Sequence, residues 1–240
     1  MSPTIGMIYP DHAAEDEYPT AATLLGVELP VTHIYGTDLH AVPELLDLGS
    51  PERLAEGAAQ LARHSPDVVM WACTSGSFVY GPKGAQRQID ELASAAGVPA
   101  SSTSAAFAAA LAHLGVARVA IAASYPQDVA DLFVEYLGAA GVEVVAMGSS
   151  GIDTAAEVGT LTPEQVIELA VANDHPDAEA LLVPYTVMHT LGVIPVLEKR
   201  LGKPVLTANQ VTIWQGLHLA GASPSSGTLG ALFQAQEEGR

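Results

Sequence analysis

The residues best able to do chemistry lie in one short stretch around the single cysteine. Residues 71–78 read WACTSGSF, so Cys73 ends an apolar run, and hydroxyl residues and a glycine follow where a helix should begin. The first N–H groups of a helix lack partners within the helix, so they can bind a carboxylate and lower the pKa of a nearby thiol. The alternative is a buried structural cysteine. The position of Cys73 after a strand favours a catalytic thiol that transfers a proton or acts as a nucleophile.

Other polar side chains follow predicted strands in the same way. Ser124 and Tyr125 follow a strand of the second half, where the Tyr125 phenol could bind a substrate oxygen or the segment could simply cap the strand. Asp11 and His12 follow the first strand and form either an acid–base pair or a solvated loop. Asn209 follows the last strand, so it either lines the cleft or caps the next helix.

These positions require a repeated succession of strands and helices. Short apolar runs rich in β-branched residues alternate with stretches of helical spacing, which indicates parallel sheets. The predicted strands are 5–9, 31–35, 68–72, 99–103, 118–123, 142–147, 180–184 and 204–208. We therefore predict an α/β fold of two pseudo-symmetric halves, 1–113 and 114–240, each a mainly parallel four-stranded sheet flanked by helices. The last helix is expected to pack back onto the first half.

Alignment of the two halves at their third strands indicates where an active site should lie. It pairs Cys73 with Tyr185, and both residues come just after a strand. Ligands of parallel α/β sheets bind at the carboxyl ends of the strands, so we expect Cys73 and Tyr185 on opposite walls of a cleft between the halves. Tyr185, Val187 and Met188 then predict one apolar wall, with core packing as the alternative.

The overall charge argues against two classes of partner. The 240 residues include 27 acidic and 9 basic side chains, for a formal net charge of −18. Nucleic acid and anionic membranes would be repelled, so neither is expected as a partner. A small carboxylate remains possible if backbone N–H groups and hydroxyls hold it.

The same sequence gives no sign of a targeting segment, a metal or a nucleotide. A signal peptide and an apolar run of spanning length are not found, and one cysteine cannot form an internal disulfide, so a cytoplasmic location is expected. The histidines lack the spacing of metal ligands, and glycine-rich phosphate motifs are missing. We expect no metal and no cofactor, and we leave a monomer and a small homo-oligomer both open.

Taken together, the motifs resemble the aspartate/glutamate racemase superfamily, and within it the branch of arylmalonate decarboxylases and maleate cis/trans isomerases. The resemblance covers nearly the whole chain. It rests on residues 4–8 with Pro10, on 73–75, on 123–125 with Asp128, on 194–195 with 200–202, and on 204–217. It implies a cofactor-independent enzyme with a small carboxylate or dicarboxylate substrate. It implies Pro10, Thr74, Ser75 and Tyr125 at the carboxylate and oxyanion pocket. Tyr185 and Thr186, which stand at the position of the second thiol, are also expected at the substrate, and Asp11 and Asn209 are further candidates from their places after strands.

One departure from the superfamily narrows the reaction. Its racemases use two cysteines, one for each face of the reacting carbon, whereas this chain has Tyr185 at the second position. A phenol with a pKa of about 10 is a poor base near neutral pH, which favours one-sided chemistry by Cys73. Two reactions fit one-sided chemistry, and the resemblance to the decarboxylases at Pro10, Thr74, Ser75 and Tyr125 favours arylmalonate-type decarboxylation, with Cys73 protonating an enediolate. Maleate-type isomerisation with Cys73 as nucleophile is the alternative, and a non-catalytic carboxylate-binding protein is a second one.

Overall fold

The computed structural model describes residues 2–11, 13–37, 39–123, 125–148 and 154–234. Its strands are β1 Ile5–Pro10, β2 Val31–Ile34, β3 Val68–Trp71, β4 Ala100–Ser102, β5 Arg118–Ala122, β6 Glu143–Gly148, β7 Ala180–Val183 and β8 Val205–Thr207. Its helices are α1 Glu17–Leu25, α2 Val42–Leu48, α3 Pro51–Leu61, α4 Ser75–Phe78, α5 Gly81–Ala96, α6 Thr103–Leu114, α7 Gln127–Ala139, α8 Ala155–Gly159, α9 Pro163–Ala172, α10 Ile194–Leu201 and α11 Ala208–Leu219.

The strands form two parallel four-stranded sheets with the same order of strands. The first sheet has the order β2-β1-β3-β4, and the second has the equivalent order β6-β5-β7-β8. The central strands β1, β3 and β7 are buried along their whole length because helices cover both faces of each sheet. The predicted α/β class and the two parallel four-stranded sheets are confirmed, and each predicted strand overlaps an observed one.

Helix α11 connects the two halves, because it follows the second sheet and packs on the first. Helix α11 follows β8 of the second sheet but packs against α6 and against β1, β3 and β4 of the first sheet. The hydroxyls of Thr103 on α6 and Thr212 on α11 lie 2.7 Å apart. A Cβ on Gly216 would lie 2.4 Å from Cγ2 of Ile5, so glycine is what allows α11 to approach β1 so closely. The last long helix thus packs on the first half.

The predicted division of the chain falls between α6 and β5. Residue 113 is within α6, and β5 begins at Arg118. That the halves 1–113 and 114–240 are separate domains stays a prediction. No helix within the described ranges is long and apolar enough to span a bilayer.

Candidate active site

A cavity of about 160 Å³ opens where strands of both sheets end. On a scale in which about 10–15 Å³ holds one water molecule, this volume accommodates a ligand with on the order of ten non-hydrogen atoms. Both halves contribute walls. The lining residues are Pro10, Asp11, Thr37, His40, Leu45, Leu48, Cys73, Thr74, Ser75, Tyr125, Ala156, Pro184, Tyr185, Thr186 and Val187.

Cys73 lies two residues beyond the end of β3 and is 4% exposed. Its sulfur accepts the N–H of Gly76, with 3.4 Å between N and Sγ, and Ser75 also donates to it. These hydrogen bonds lower the pKa of the thiol, but burial away from water raises it more, and the pKa is about 11. The expectation of a lowered pKa is therefore wrong, because desolvation outweighs the N–H groups. Cys73 keeps its proton at neutral pH.

The turn after Cys73 is held in place by buried polar side chains. The carbonyl of Gly76 accepts hydrogen bonds from Nε1 of Trp71 at 3.2 Å and from Nε2 of Gln88 at 2.8 Å. The hydroxyl of Ser104 donates to the carbonyl of Thr74 at 2.8 Å. Buried donors that are already paired rarely change partners, so this turn is a rigid support for the sulfur.

Thr74 contributes a hydroxyl that has no partner in the described part of the protein. Its Oγ1 is buried, yet it forms no hydrogen bond with any described residue. Thr74 is also the residue before α4, but its side chain does not cap that helix. A buried hydroxyl without a partner costs free energy, so a ligand oxygen in the cavity is a natural partner for it.

Two tyrosines of the second half form an aromatic wall. The rings of Tyr125 and Tyr185 have centroids 4.9 Å apart, and Phe78 packs edge-on against Tyr125 at 5.6 Å. The Tyr125 hydroxyl donates to the carbonyl of Pro184 at 3.3 Å. Burial raises the pKa of Tyr125 well above its usual value, so the phenol remains a hydrogen-bond donor. Tyr185 and Val187 belong to this wall, whereas Met188 is fully buried and is not a lining residue.

His40 is a lining residue that the sequence analysis missed. It lies between β2 and α2, and its ring contacts Tyr125 and Tyr185 edge-on, with centroids 5.5 and 5.8 Å apart. The spacing of metal ligands, by which histidines are usually recognised in a sequence, does not single out His40. His40 follows the carboxyl end of β2. The rule that ligands bind at the carboxyl ends of parallel strands, which located Cys73, would therefore have located His40 as well.

Of the remaining candidate residues, all but one line the cavity. Pro10, Asp11, Ser75 and Thr186 line the cavity, but Asn209 does not. Asn209 is fully buried behind Thr186 and donates from Nδ2 to the Thr186 carbonyl at 3.0 Å.

The alternative prediction that Asn209 caps α11 is wrong. Thr207 is the N-cap residue, and its backbone N–H donates to Oε1 of Gln210 at 3.0 Å. His12 and Ser124 lie outside the described residues.

The cavity offers little positive charge. Among the described residues that line it, none is lysine or arginine, and His40 is the side chain that can become cationic. Among the described residues, no group of three or more His, Cys, Asp and Glu side chains is arranged to hold a metal ion. A bound carboxylate would therefore interact mainly with hydroxyls, backbone N–H groups and the His40 ring.

Comparison with known proteins gives consistent results. Residues 5–233 match the arylmalonate decarboxylase family. The chain is 31% identical over 238 residues to the arylmalonate decarboxylase of Bordetella bronchiseptica. The aligned residues cover 95% of this chain and 96% of that protein. It is 30% identical over 196 residues to the maleate isomerase of Nocardia farcinica, covering 75% and 78%. A solved double mutant of arylmalonate decarboxylase in its liganded form superposes with a TM-score of 0.86 at 26% identity, covering 97% of this chain and 99% of that one.

Proposed function

This chain belongs to the arylmalonate decarboxylase family, and we propose that it removes CO2 from a substituted malonate, with Cys73 protonating the enediolate that remains. The chain is an enzyme, because its relatives are decarboxylases and isomerases. The reading as a non-catalytic binding protein therefore has no support. A reducing, cytoplasmic compartment is proposed as well, since the single thiol has to stay reduced.

The observation that carries the proposal is the environment of Cys73. The thiol is buried at one wall of the cavity, and the other half contributes Tyr185 where a second thiol would stand. Because the pKa of Cys73 is about 11, the group is a proton donor before the reaction rather than a ready thiolate. A general acid needs its proton at the start of the step, whereas a nucleophilic thiol needs to have lost it.

The proposed reaction consists of decarboxylation and protonation of the α-carbon, after which the thiol is restored. The bond between the α-carbon and one carboxylate breaks, CO2 leaves, and the electron pair enters the remaining carboxylate as an enediolate. The Cys73 S–H bond then breaks, its proton forms a C–H bond at the α-carbon, and the thiolate later takes a proton from water. The product is a monocarboxylate.

The residues near Cys73 support stabilisation of the enediolate oxygens. The buried hydroxyl of Thr74 has no described partner, and the hydroxyl of Ser75 and the phenol of Tyr125 line the same cavity. Hydrogen-bond donors that are already in position are worth most where negative charge develops in a site with little water. We propose that Thr74 donates to the enediolate, and that the hydroxyls of Ser75 and Tyr125 turn to it from Cys73 Sγ and the Pro184 carbonyl. Pro10 and Thr186 are proposed as further contacts.

The test is the reaction of the purified enzyme with phenylmalonate in D2O, followed by NMR. We expect phenylacetate with one deuterium at the α-carbon, and no reaction above background for Cys73→Ser. Loss of a general acid costs about 10²–10⁴-fold in rate, which the assay resolves easily. If phenylmalonate remains intact under conditions in which maleate is consumed, the proposal is wrong.

Maleate isomerisation is the second candidate, because the Nocardia farcinica relative is named a maleate isomerase. In that reaction the Cys73 thiolate would add to the double bond, the new single bond would rotate, and the thiolate would leave. Formation of fumarate from maleate in the same NMR assay identifies it. The raised pKa of Cys73 opposes it, since little thiolate is present near neutral pH.

A further inference from the structure

A buried carboxylate of the first half holds the loop of the second half that carries Tyr185 and Thr186. Glu17, the first residue of α1, is 7% exposed. Its Oε1 accepts the backbone N–H groups of Thr190 at 2.6 Å and Leu191 at 2.7 Å. Its Oε2 accepts Nδ2 of Asn209 at 2.8 Å. Three donors converge on one carboxylate, although their residues lie more than 170 positions away along the chain.

The same network fixes the direction of a backbone carbonyl at the cavity. The Thr186 carbonyl accepts hydrogen bonds from the Tyr9 hydroxyl at 2.8 Å and from Asn209 Nδ2 at 3.0 Å. Neither Tyr9 nor Asn209 lines the cavity, so this oxygen is turned away from the space that a substrate would occupy. The Tyr18 hydroxyl donates to Asn209 Oδ1 at 3.0 Å and fixes the orientation of the Asn209 amide.

From these contacts we propose that Glu17 is a positioning residue for the reaction at Cys73. It acts through Asn209 and the N–H groups of Thr190 and Leu191, which hold the loop from Tyr185 to Leu191. The held loop keeps the Thr186 carbonyl away from the substrate and keeps the aromatic wall in place. A carbonyl oxygen turned into the cavity would repel a carboxylate, so its orientation matters for both binding and turnover. This inference rests on the proposed function.

The charges around Glu17 determine how its role depends on pH. Burial raises the pKa of Glu17, while the hydrogen bonds from Asn209, Leu191 and Thr190 and the charge of His189 lower it, and the net direction is upward. The other titratable groups in the network are Tyr9 and Tyr18, whose pKa values burial raises, so they stay neutral donors. Protonation of Glu17 would weaken its three hydrogen bonds and loosen the loop, and because its pKa is raised this occurs at a higher pH than for an exposed glutamate.

The kinetic test compares Glu17→Gln with a matched control. The control is Asp16→Asn, which removes the neighbouring carboxylate at the same end of α1, where exposed Asp16 contacts His189 of the same loop at 2.8 Å. With phenylmalonate, we expect kcat for Glu17→Gln to fall by about 10- to 100-fold per folded molecule, and kcat for Asp16→Asn to stay within about twofold of the wild type. The folded fraction of each variant is taken from its urea denaturation curve, because the thiol of unfolded protein is alkylated faster than the buried one.

Hydrogen exchange tests the positioning without any reaction. In Glu17→Gln, the amide protons of Thr190 and Leu191 should exchange at least about tenfold faster than in the wild type. If the wild type turns over neither phenylmalonate nor maleate, the proposed function fails, and slower alkylation of Cys73 by iodoacetamide in the presence of malonate then replaces kcat. Glu17→Gln should need at least about tenfold more malonate for the same protection.

Two results would overturn the role of Glu17. One is unchanged exchange at Thr190 and Leu191, and the other is faster exchange together with wild-type kcat or wild-type protection by malonate. If Glu17→Gln does not fold, Tyr9→Phe removes one of the two donors to the Thr186 carbonyl and leaves Glu17 in place. It should lower kcat, or weaken protection by malonate, by roughly two- to tenfold, as expected for one hydrogen bond. No effect of Tyr9→Phe would count against the proposal in the same way.

Discussion

The backbone N–H of Gly76 donates to Cys73 Sγ across 3.4 Å, and a Cβ on Gly76 would lie 3.2 Å from that same sulfur. The added atom would also lie 3.0 Å from the ring of Trp71. Gly76 therefore allows the sulfur, its donor and the indole to pack together. The position of the thiol depends on the absence of a side chain three residues further along the chain.

Gly76→Ala should accordingly impair both activity and stability. We expect kcat/KM to fall about tenfold or more because the sulfur is displaced, and the free energy of unfolding to fall by about 1–3 kcal/mol because the site is overpacked. Steady-state kinetics and urea denaturation measure the two effects. Gly138→Ala in α7 is the control, since a Cβ there meets nothing within 4 Å. Wild-type kcat/KM in Gly76→Ala would contradict the packing argument.

The hydroxyl of Thr74 should matter for substrate and not for folding. Thr74→Val removes a buried oxygen that has no described partner, so the free energy of unfolding should stay the same or rise by up to about 1 kcal/mol. The same change should lower kcat/KM by about 10- to 100-fold, because one donor to the enediolate is lost.

Thr103→Val is expected to lower stability and to leave kcat/KM nearly unchanged, the opposite of Thr74→Val. The Thr103 hydroxyl is paired with Thr212 at 2.7 Å, so its loss should cost about 1 kcal/mol of stability with little change in kcat/KM. Thermal unfolding measures the stability of both variants, and steady-state kinetics measures their kcat/KM. Equal effects of the two changes on kcat/KM would show that Thr74 has no special contact with the substrate.

The reactivity of Cys73 should increase only at high pH. Since burial raises its pKa to about 11, the rate of alkylation by iodoacetamide should be low at pH 7–8 and should rise up to about pH 11. The protein unfolded in urea provides the control, because its thiol should titrate near 8.5. A folded thiol that titrates at or below the value of the unfolded one would contradict this prediction.

The same shift implies a dependence of stability on pH. The folded pKa lies above the unfolded one, so the contribution of Cys73 to stability is complete below about pH 8.5 and is lost as the pH rises to about 11. Cys73→Ala should lack this part of the pH dependence. Urea denaturation between pH 8 and pH 11, within the range in which the fold persists, compares the two proteins.

Transfer of the thiol to the other half should reverse the configuration of the product. Cys73 and Tyr185 line the cavity from different halves, so a thiol at 185 would protonate the enediolate from the opposite face. With α-methyl-α-phenylmalonate, the double variant Cys73→Ser with Tyr185→Cys should give the enantiomer opposite to that of the wild type. Chiral chromatography measures the outcome, and Cys73→Ser alone is the control. If both active proteins gave the same enantiomer, positions 73 and 185 could not lie on opposite walls of the cavity.

The amino-acid sequence by itself determined the architecture and the position of the thiol. Apolar β-branched runs, with helical spacing between them, are local patterns, so strands such as β3 and β7 could be located to within about two residues. The rule that ligands bind at the carboxyl ends of parallel strands then placed Cys73 and Tyr185 at one cleft. Parallel pairing fixes which ends meet, and the sequence order of strands and helices implies parallel pairing.

The tertiary structure alone decided the electrostatics of the site and the partners of its walls. The direction of the pKa shift of Cys73 depends on how completely other segments exclude water from the sulfur, which no neighbouring residue in the chain reveals. Asn209 proved to hold the Thr186 carbonyl rather than to line the cavity, and Glu17 binds a loop more than 170 residues away. Desolvation and long-range hydrogen bonds are properties of the packed chain, so they become defined only when the two halves come together.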